Sequence, residues 1–414
     1  MKKTLIALAL TALPVASMAE VVLYGQMKAG YEASSTKYGS DNRGPYQNGI
    51  ADYGSRIGLK GSEDLEHGLK VIWQVESRIH LGHSNGGSDG WADRDSFIGL
   101  ETPYGTFRAG RISNQMKANM DTVDPWEYNN EALGLGKFTR TGQRYVGIAY
   151  DSPEWSGFSF NVLYSPRDNV NAGERDTEYK YNMGAGDKYS LGLNYHNAGY
   201  YAKYGFDYLK GSSGELIAES SNGQDWNWKN KPKDGQVHRI EAGYDANNLF
   251  VGVGYQYSKN TGSYSKFAND RTVLAGLDMS NIDMTDPENP VVNVNPINMP
   301  DAGDHHVVAK NRGQEAVLTV GYHFGNIFPK LTYAHGWDVK TDGSKDKNTK
   351  YDQIVIGADY SFSKRTTANV QAGWLREGNG SDDFGGVGPN DEPIMVGKGK
   401  TKTTAFGVGL KHTF

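Results

Sequence analysis

Three places in the sequence hold residue types that could do covalent or metal chemistry, and each lacks part of what that chemistry needs. Gly86-Gly87-Ser88-Asp89-Gly90 has the spacing of a hydrolase nucleophile elbow. That motif depends on a strand-to-helix turn presenting the serine, and here it stands in a polar, glycine-rich connection. Gly399-Lys400-Thr401 ends like a phosphate-binding loop, yet the position of the loop's earlier glycine is Ile394. His305-His306 beside Asp304 could touch a transition metal, but a structural site needs more ligands at defined spacing. No catalytic residue, metal or cofactor is expected. Fixed charge is the more productive pattern. By two-residue parity Asp52, Arg56 and Lys60 share one strand face, and Glu76 shares its face with Arg78, each opposite an apolar face. Charges of opposite sign facing each other across narrow water with low-dielectric walls create a transverse field that orients dipoles and sorts ions.

Such charges need strands to hold them, and the strands are legible. Leu69, Val71, Trp73 and Val75 alternate with Lys70, Gln74, Glu76 and Arg78. Ala316, Leu318, Val320, Tyr322 and Phe324 make another oily face, as do Ile354, Ile356, Ala358 and Tyr360. Alternation over about ten residues is what a strand with lipid on one side and water on the other requires. Marking every such run gives sixteen strands, near 22–31, 53–62, 69–79, 94–102, 105–112, 144–151, 157–165, 188–197, 199–209, 237–245, 248–257, 314–324, 327–336, 351–361, 365–375 and 403–414. Short connections such as Asn197-Ala198-Gly199 and Gly325-Asn326 strictly alternate with long polar ones, near 32–52, 80–93, 113–143, 166–187, 210–236, 258–313, 337–350 and 376–402. A soluble sandwich has no reason to sort its loops by length. A transmembrane barrel does, with short periplasmic turns and long outer loops, and sixteen strands leave an aqueous lumen. Tyr322 with Phe324 and Tyr360 with Phe362 flank short turns, as an aromatic girdle at the headgroup level would. The fold class predicted is all-β, a transmembrane antiparallel β-barrel of sixteen strands.

Composition agrees. With 53 Gly and 26 Tyr the chain is too rich in both for an average globular domain or a helical bundle. Lys2 and Lys3, the apolar run Leu5 to Ala16 and Ser17-Met18-Ala19 have the charge, length and exit site of a secretory signal, with cleavage expected after Ala19. Residues 1–19 are therefore read as signal peptide and 20–414 as the barrel. No run approaches the ~20 apolar residues of a membrane-spanning helix, so a barrel with all backbone groups paired between strands is what remains for crossing lipid. The chain has no Cys, which removes disulfides and thiol chemistry. Net charge is −5 with Lys and Arg dispersed, which argues against a nucleic-acid partner.

Several ordered stretches resemble one family. Val22-Leu23-Tyr24-Gly25, Gly54-Ser55-Arg56-Ile57-Gly58, Gly61-Ser62-Glu63-Asp64-Leu65, Ser96-Phe97-Ile98-Gly99-Leu100, Ala372-Gly373-Trp374-Leu375 and Gly407-Val408-Gly409-Leu410-Lys411-His412 are similar to the trimeric general porins of Gram-negative outer membranes, nearest the neisserial group. The resemblance covers essentially the whole chain after residue 19. It implies an outer-membrane homotrimer passing inorganic ions and small hydrophilic solutes by diffusion, with outer-membrane lipid as its other partner. It also implies that the third long loop, 113–143, folds into the lumen. Matching to the family adds Arg94, Lys117 and Arg144 to a basic wall with Arg78, and sets Asp52, Asp124, Glu127 and Glu131 against it as acidic counterparts. For Arg94 and Arg144 the inward aim rests on resemblance alone. Arg108 and Arg111 have opposite parities, so at most one of them continues the wall. Connection 258–313 is longer than the family leads one to expect. A basic narrow point predicts a mild anion preference despite the negative net charge. The alternatives are a substrate-specific channel, which would show a slide of lumenal aromatics, and an outer-membrane hydrolase.

Overall fold

The computed structural model describes residues 20–39, 42–82, 90–167, 186–220, 226–261, 282–283, 291–292, 305–308, 311–341, 343–378, 384–387, 393–395 and 400–414. The signal segment, Ser88 and Asp304 lie outside them. Sixteen strands form one closed sheet. They are β1 (Glu20–Tyr38), β2 (Gln47–Asp52 resuming as Arg56–Asp64), β3 (Lys70–Arg78), β4 (Ser96–Thr102), β5 (Gly105–Ser113) and β6 (Arg144–Asp151). There follow β7 (Phe158–Ser165), β8 (Lys188–Asn197), β9 (Tyr200–Ser220), β10 (Trp226–Ala246) and β11 (Leu249–Lys259). The last are β12 (Asn311–Tyr322), β13 (Ile327–Gly336), β14 (Tyr351–Ser361), β15 (Thr366–Gly378) and β16 (Lys400–Thr413). Each pairs antiparallel with its neighbour in sequence. β1 closes the ring on β16, from Gln26 opposite Thr413 to Tyr38 opposite Thr401.

The ring explains the alternation. Exposed apolar residues such as Leu23, Ile98, Val146, Ile148 and Ile356 all take the outward parity of their strands, a face that only lipid can satisfy. The expected girdle pairs stand on that face: the rings of Tyr322 and Phe324 are 4.7 Å apart and those of Tyr360 and Phe362 are 4.9 Å apart. Two-residue turns close several hairpins at one end. Ala198 and Gly199 have φ of +50° and +85°, and Asn247 and Asn248 have +52° and +65°. Positive φ at both central positions matches the twist of the flanking strands.

Three strands outrun the expected bounds at the long-loop end. β1 runs to Tyr38, and β9 and β10 stay paired out to Ser220 opposite Trp226, where the sequence suggested a loop over 210–236. Residues 47–52, also expected in a loop, pair with β1. Beyond the bilayer both faces of a strand are wet, so the alternation that reveals strands disappears while backbone pairing continues. His305–Val308, inside the long 258–313 connection, adds a further strand against Glu215 to Ala218.

Candidate functional site

The long connection between β5 and β6 turns into the barrel at Asn114. The Asn114 side chain caps α1 (Gln115–Ala118) by accepting from the Lys117 N–H at 3.1 Å, and it donates to Asp207 Oδ2 of β9 at 2.6 Å. From there the loop runs around the inner wall. Asp121 meets Arg239 Nη2 of β10 at 2.6 Å, and Glu241 beside it accepts the N–H groups of Asp121 and Thr122. Lys330 of β13 donates to the Pro125 carbonyl at 2.5 Å, and Trp126 Nε1 donates to Thr332 Oγ1 at 2.9 Å. Gln371 of β15 reaches the Glu127 carbonyl, Glu32 of β1 accepts from the N–H groups of Asn129 and Asn130, and Gln353 of β14 donates to the carbonyls of Glu131 and Gly134. α2 (Gly136–Thr139) leads out past Arg140, which pairs with Glu315 of β12.

Apolar packing holds the same arc. Val123, Trp126, Leu133, Leu135 and Phe138 of the loop bury against Val317, Val355 and Leu375, which point inward from β12, β14 and β15. Each fully buried side chain of this kind is worth roughly 1.5–3 kcal/mol. The wall is also shaved to receive the loop: a methyl added at Gly373 of β15 would overlap the Ala132 carbonyl oxygen. The arc from β2 to β6 takes no side-chain hydrogen bond from residues 115–139 among the described residues, so the loop leaves that side of the lumen open.

On that open side the cations gather. Arg56 and Arg94 share Glu76, with Nε–O distances of 3.3 and 2.5 Å, and Arg144 Nε is 2.8 Å from Asp95. Asp95 also accepts the N–H and hydroxyl of Ser113, which fixes it at the root of the loop. Lys117 forms no ion pair among the described residues. Burial, with Arg144 nearby, holds its ammonium below the usual lysine range, while Asp121 opposes that effect. Four cations against two carboxylates leave this cluster at 4 − 2 = +2. Arg78 is exposed and lines a cavity of about 370 Å³ together with Lys28, Asp52 and Glu127. Lys60 lies over the Tyr24 ring at 5.5 Å.

The expected acidic counterparts behave differently from the reading of the sequence. Asp124 is no free lumenal charge: it accepts from Tyr128 Oη at 2.9 Å inside the loop, its Oδ1 is sealed without a partner, and burial together with the Asp121 charge pushes its pKa up to about 7. Glu127 is held between Lys28 at 2.5 Å and Lys411 at 2.9 Å. Burial works against its ionisation, but the two ammonium groups outweigh it and hold Glu127 below the usual carboxylate range. Glu131 is half-exposed, 3.5 Å from Lys137. Asp52 is buried and accepts the Ser55 N–H at 3.0 Å, bracing the break in β2. Arg108 faces inward over Phe97 and pairs with Asp151 at 2.7 Å, whereas Arg111 has the outward parity of exposed Phe107 and donates to the Asp93 carbonyl. Lys28, Lys411 and Asp95 were missed, although Lys28 and Lys411 lie on lumenal parity in β1 and β16 and could have been read from it.

A closed barrel with an oily exterior, a charged interior and a loop folded across its lumen is an outer-membrane channel. The profile of Gram-negative porins matches residues 19–414, and the chain belongs to that family. It is 39% identical to a major outer membrane protein P.IB of Neisseria sicca over the full length of both chains. It is 35% identical to that of a Neisseria meningitidis serogroup B strain, again over the full length of both. Among solved structures it resembles an anion-selective porin from Comamonas acidovorans (TM-score 0.59, 19% identity, 96% of this chain and 100% of that one). It also resembles the Salmonella typhi OmpF complex with daunomycin (TM-score 0.55, 17% identity, 96% and 98%). The protein is a general diffusion channel of the bacterial outer membrane and not an enzyme.

Proposed function

We propose that the narrow part of this channel lies between the β2–β6 wall and the inward loop, and that it prefers anions. The observation that carries this is an asymmetry of neutralisation. Arg56, Arg94 and Arg144 share two carboxylates on the open wall and Lys117 of the loop adds a charge with no ion pair among the described residues, whereas Glu127 is compensated by two lysines and Asp124 is enclosed. At this narrow part a passing anion therefore meets uncompensated positive charge, and neither Glu127 nor Asp124 offers a cation an equivalent there. The zero-current potential of the purified protein across a planar bilayer in a potassium chloride gradient tests this. A potential on the anion side is expected, and one on the cation side would refute the assignment. The protein is further proposed to be exported by cleavage after Ala19 and to work as a homotrimer, as the resemblance to trimeric porins suggests. An unboiled sample on a denaturing gel should run as a trimer, and a folded monomer would count against it.

A further inference from the structure

A second cavity, of about 600 Å³, opens on the long-loop side of the inward loop, between the loop segment 129–132 and the inner faces of β1, β2, β15 and β16. Its volume falls within the range of small-molecule sites. Its polar lining is chemically one-sided: beside Ile50, Ala51, Ala132 and Leu375 stand hydroxyls, amides and carboxylates, with no lysine, arginine or histidine among the lining residues. The hydroxyls form a grid, because Thr36 stands opposite Thr403 and Tyr38 opposite Thr401 in the β1–β16 ladder, and Ser34 continues the same inward face of β1. Thr36 Oγ1 and Thr403 Oγ1 are 3.1 Å apart, so a single hydrogen bond between them leaves further donor and acceptor capacity. Ser34 is only 6% exposed, and its hydroxyl has no hydrogen-bond partner among the described residues. On the cavity wall that hydroxyl can exchange water for a ligand group.

The charges point the same way. Three carboxylates line the cavity, those of Glu32, Glu131 and Glu377. Glu32 has both oxygens occupied by loop N–H groups, and Lys137, behind the lining, is 2.5 Å from Glu377 and 3.5 Å from Glu131. Formal charge is thus 1 − 3 = −2, and the half-exposed Glu131 has the weaker hold on the shared lysine. We propose that this cavity is a vestibular binding site for a protonated primary amine carrying several hydroxyls, of amino-sugar size, with Glu131 receiving the ammonium and the Ser34, Thr36 and Thr403 hydroxyls receiving the ligand hydroxyls. The inference rests on the reading of the protein as a diffusion channel and adds a site where one class of solute pauses. The site is separate from the arginine cluster, which lies on β2, β6 and the β3–β4 connection.

Glucosamine, glucose and glucuronate, matched in size and differing in charge, serve as probes in single-channel recordings. Glucosamine added on the long-loop side should reduce the open-channel current in a saturable manner at the lowest concentration of the three, and glucuronate at the highest. Glu131→Gln should weaken the glucosamine block about fivefold, the scale of one partly solvated ion pair, while leaving glucose unchanged. The double substitution Thr36→Val, Thr403→Val should weaken block by glucosamine and glucose alike, with the unblocked current and the heat-modifiable gel shift showing that the barrel is intact. Equal block by all three sugars, or block by glucosamine that survives both sets of substitutions, would overturn the site while leaving the channel reading in place. Absence of any current would overturn the channel reading itself.

Discussion

Two acidic residues of the inward loop show how burial decides what a carboxylate does. The resemblance placed Asp124 and Glu127 together as lumenal acids, and the structure gives them separate tasks. Replacing Glu127 by Gln releases Lys28 and Lys411 from their shared counter-ion, and the loss of two charge-assisted bonds in a partly buried setting is worth about 1.5–3 kcal/mol each at most. The expected result is a zero-current potential displaced further toward anions and a lower temperature for the unboiled-to-boiled gel transition. Asp124 behaves in the opposite sense. Its folded pKa of about 7 lies above the ordinary Asp value near 3.9. The folded loop therefore binds the proton more tightly than the unfolded chain, so its stabilising contribution is full below about pH 4 and is lost as pH rises through about 7. Gel-shift temperature should fall between pH 5 and pH 8.5, and Asp124→Asn should remove most of that dependence; an unchanged slope in the variant would show that another group titrates. Neither role was legible in sequence, because parity says which side of a strand a residue takes and nothing about a loop that folds back on itself. Parity in sequence puts Arg56 with Lys60 and Glu76 with Arg78 opposite the oily faces, and it leaves open which of Arg108 and Arg111 turns inward.

At the scale of elements, the strands declare where the loop docks. Ile354-Val355-Ile356 and Ala316-Val317-Leu318 are apolar on both faces, and their middle residues are the ones buried under the loop. On β2 and β3 the inward positions are instead mostly polar, Arg56, Lys60, Gln74, Glu76 and Arg78 beside Ile72. Apolar residues of lumenal parity such as Val317 and Val355 thus accompany the covered wall, but parity alone does not mark it, since Ile72 and Phe97 share that parity on the open side. Gly373 belongs to the same surface. Gly373→Ala should force the loop segment around Ala132 away from β15 and into the open lumen at a cost of about 1–3 kcal/mol, the usual penalty for overfilling a packed contact. Lower unit conductance with an unchanged β-dichroism spectrum is expected; wild-type conductance would mean that the loop does not rest on this wall. The strand extensions β9 and β10 were invisible for a different reason, since outside lipid nothing imposes alternation on their sequence.

For the whole molecule, the number and order of the strands were legible from end to end because the bilayer imposes one rule on every crossing, whereas the extent of the connections expected near 32–52 and 210–236 was not. Ion preference is a different matter, since net charge and local field disagree in sign. The chain carries −5 overall, yet at an effective dielectric near 20 a charge 4 Å from a passing ion contributes roughly 4 kcal/mol, and charges beyond a Debye length of ~8 Å are largely screened in physiological salt. The cluster on β2–β6 should therefore outweigh the many acids of the outer loops. The most direct measurement is the zero-current potential of the fourfold variant Arg56→Gln, Arg94→Gln, Arg144→Gln, Lys117→Gln beside that of wild type and of Lys347→Gln, whose lysine is exposed in the β13–β14 connection. The fourfold variant should move from anion to cation preference while Lys347→Gln leaves the potential within experimental scatter; equal displacement by both, or none by the fourfold variant, would contradict the placement of the selective region.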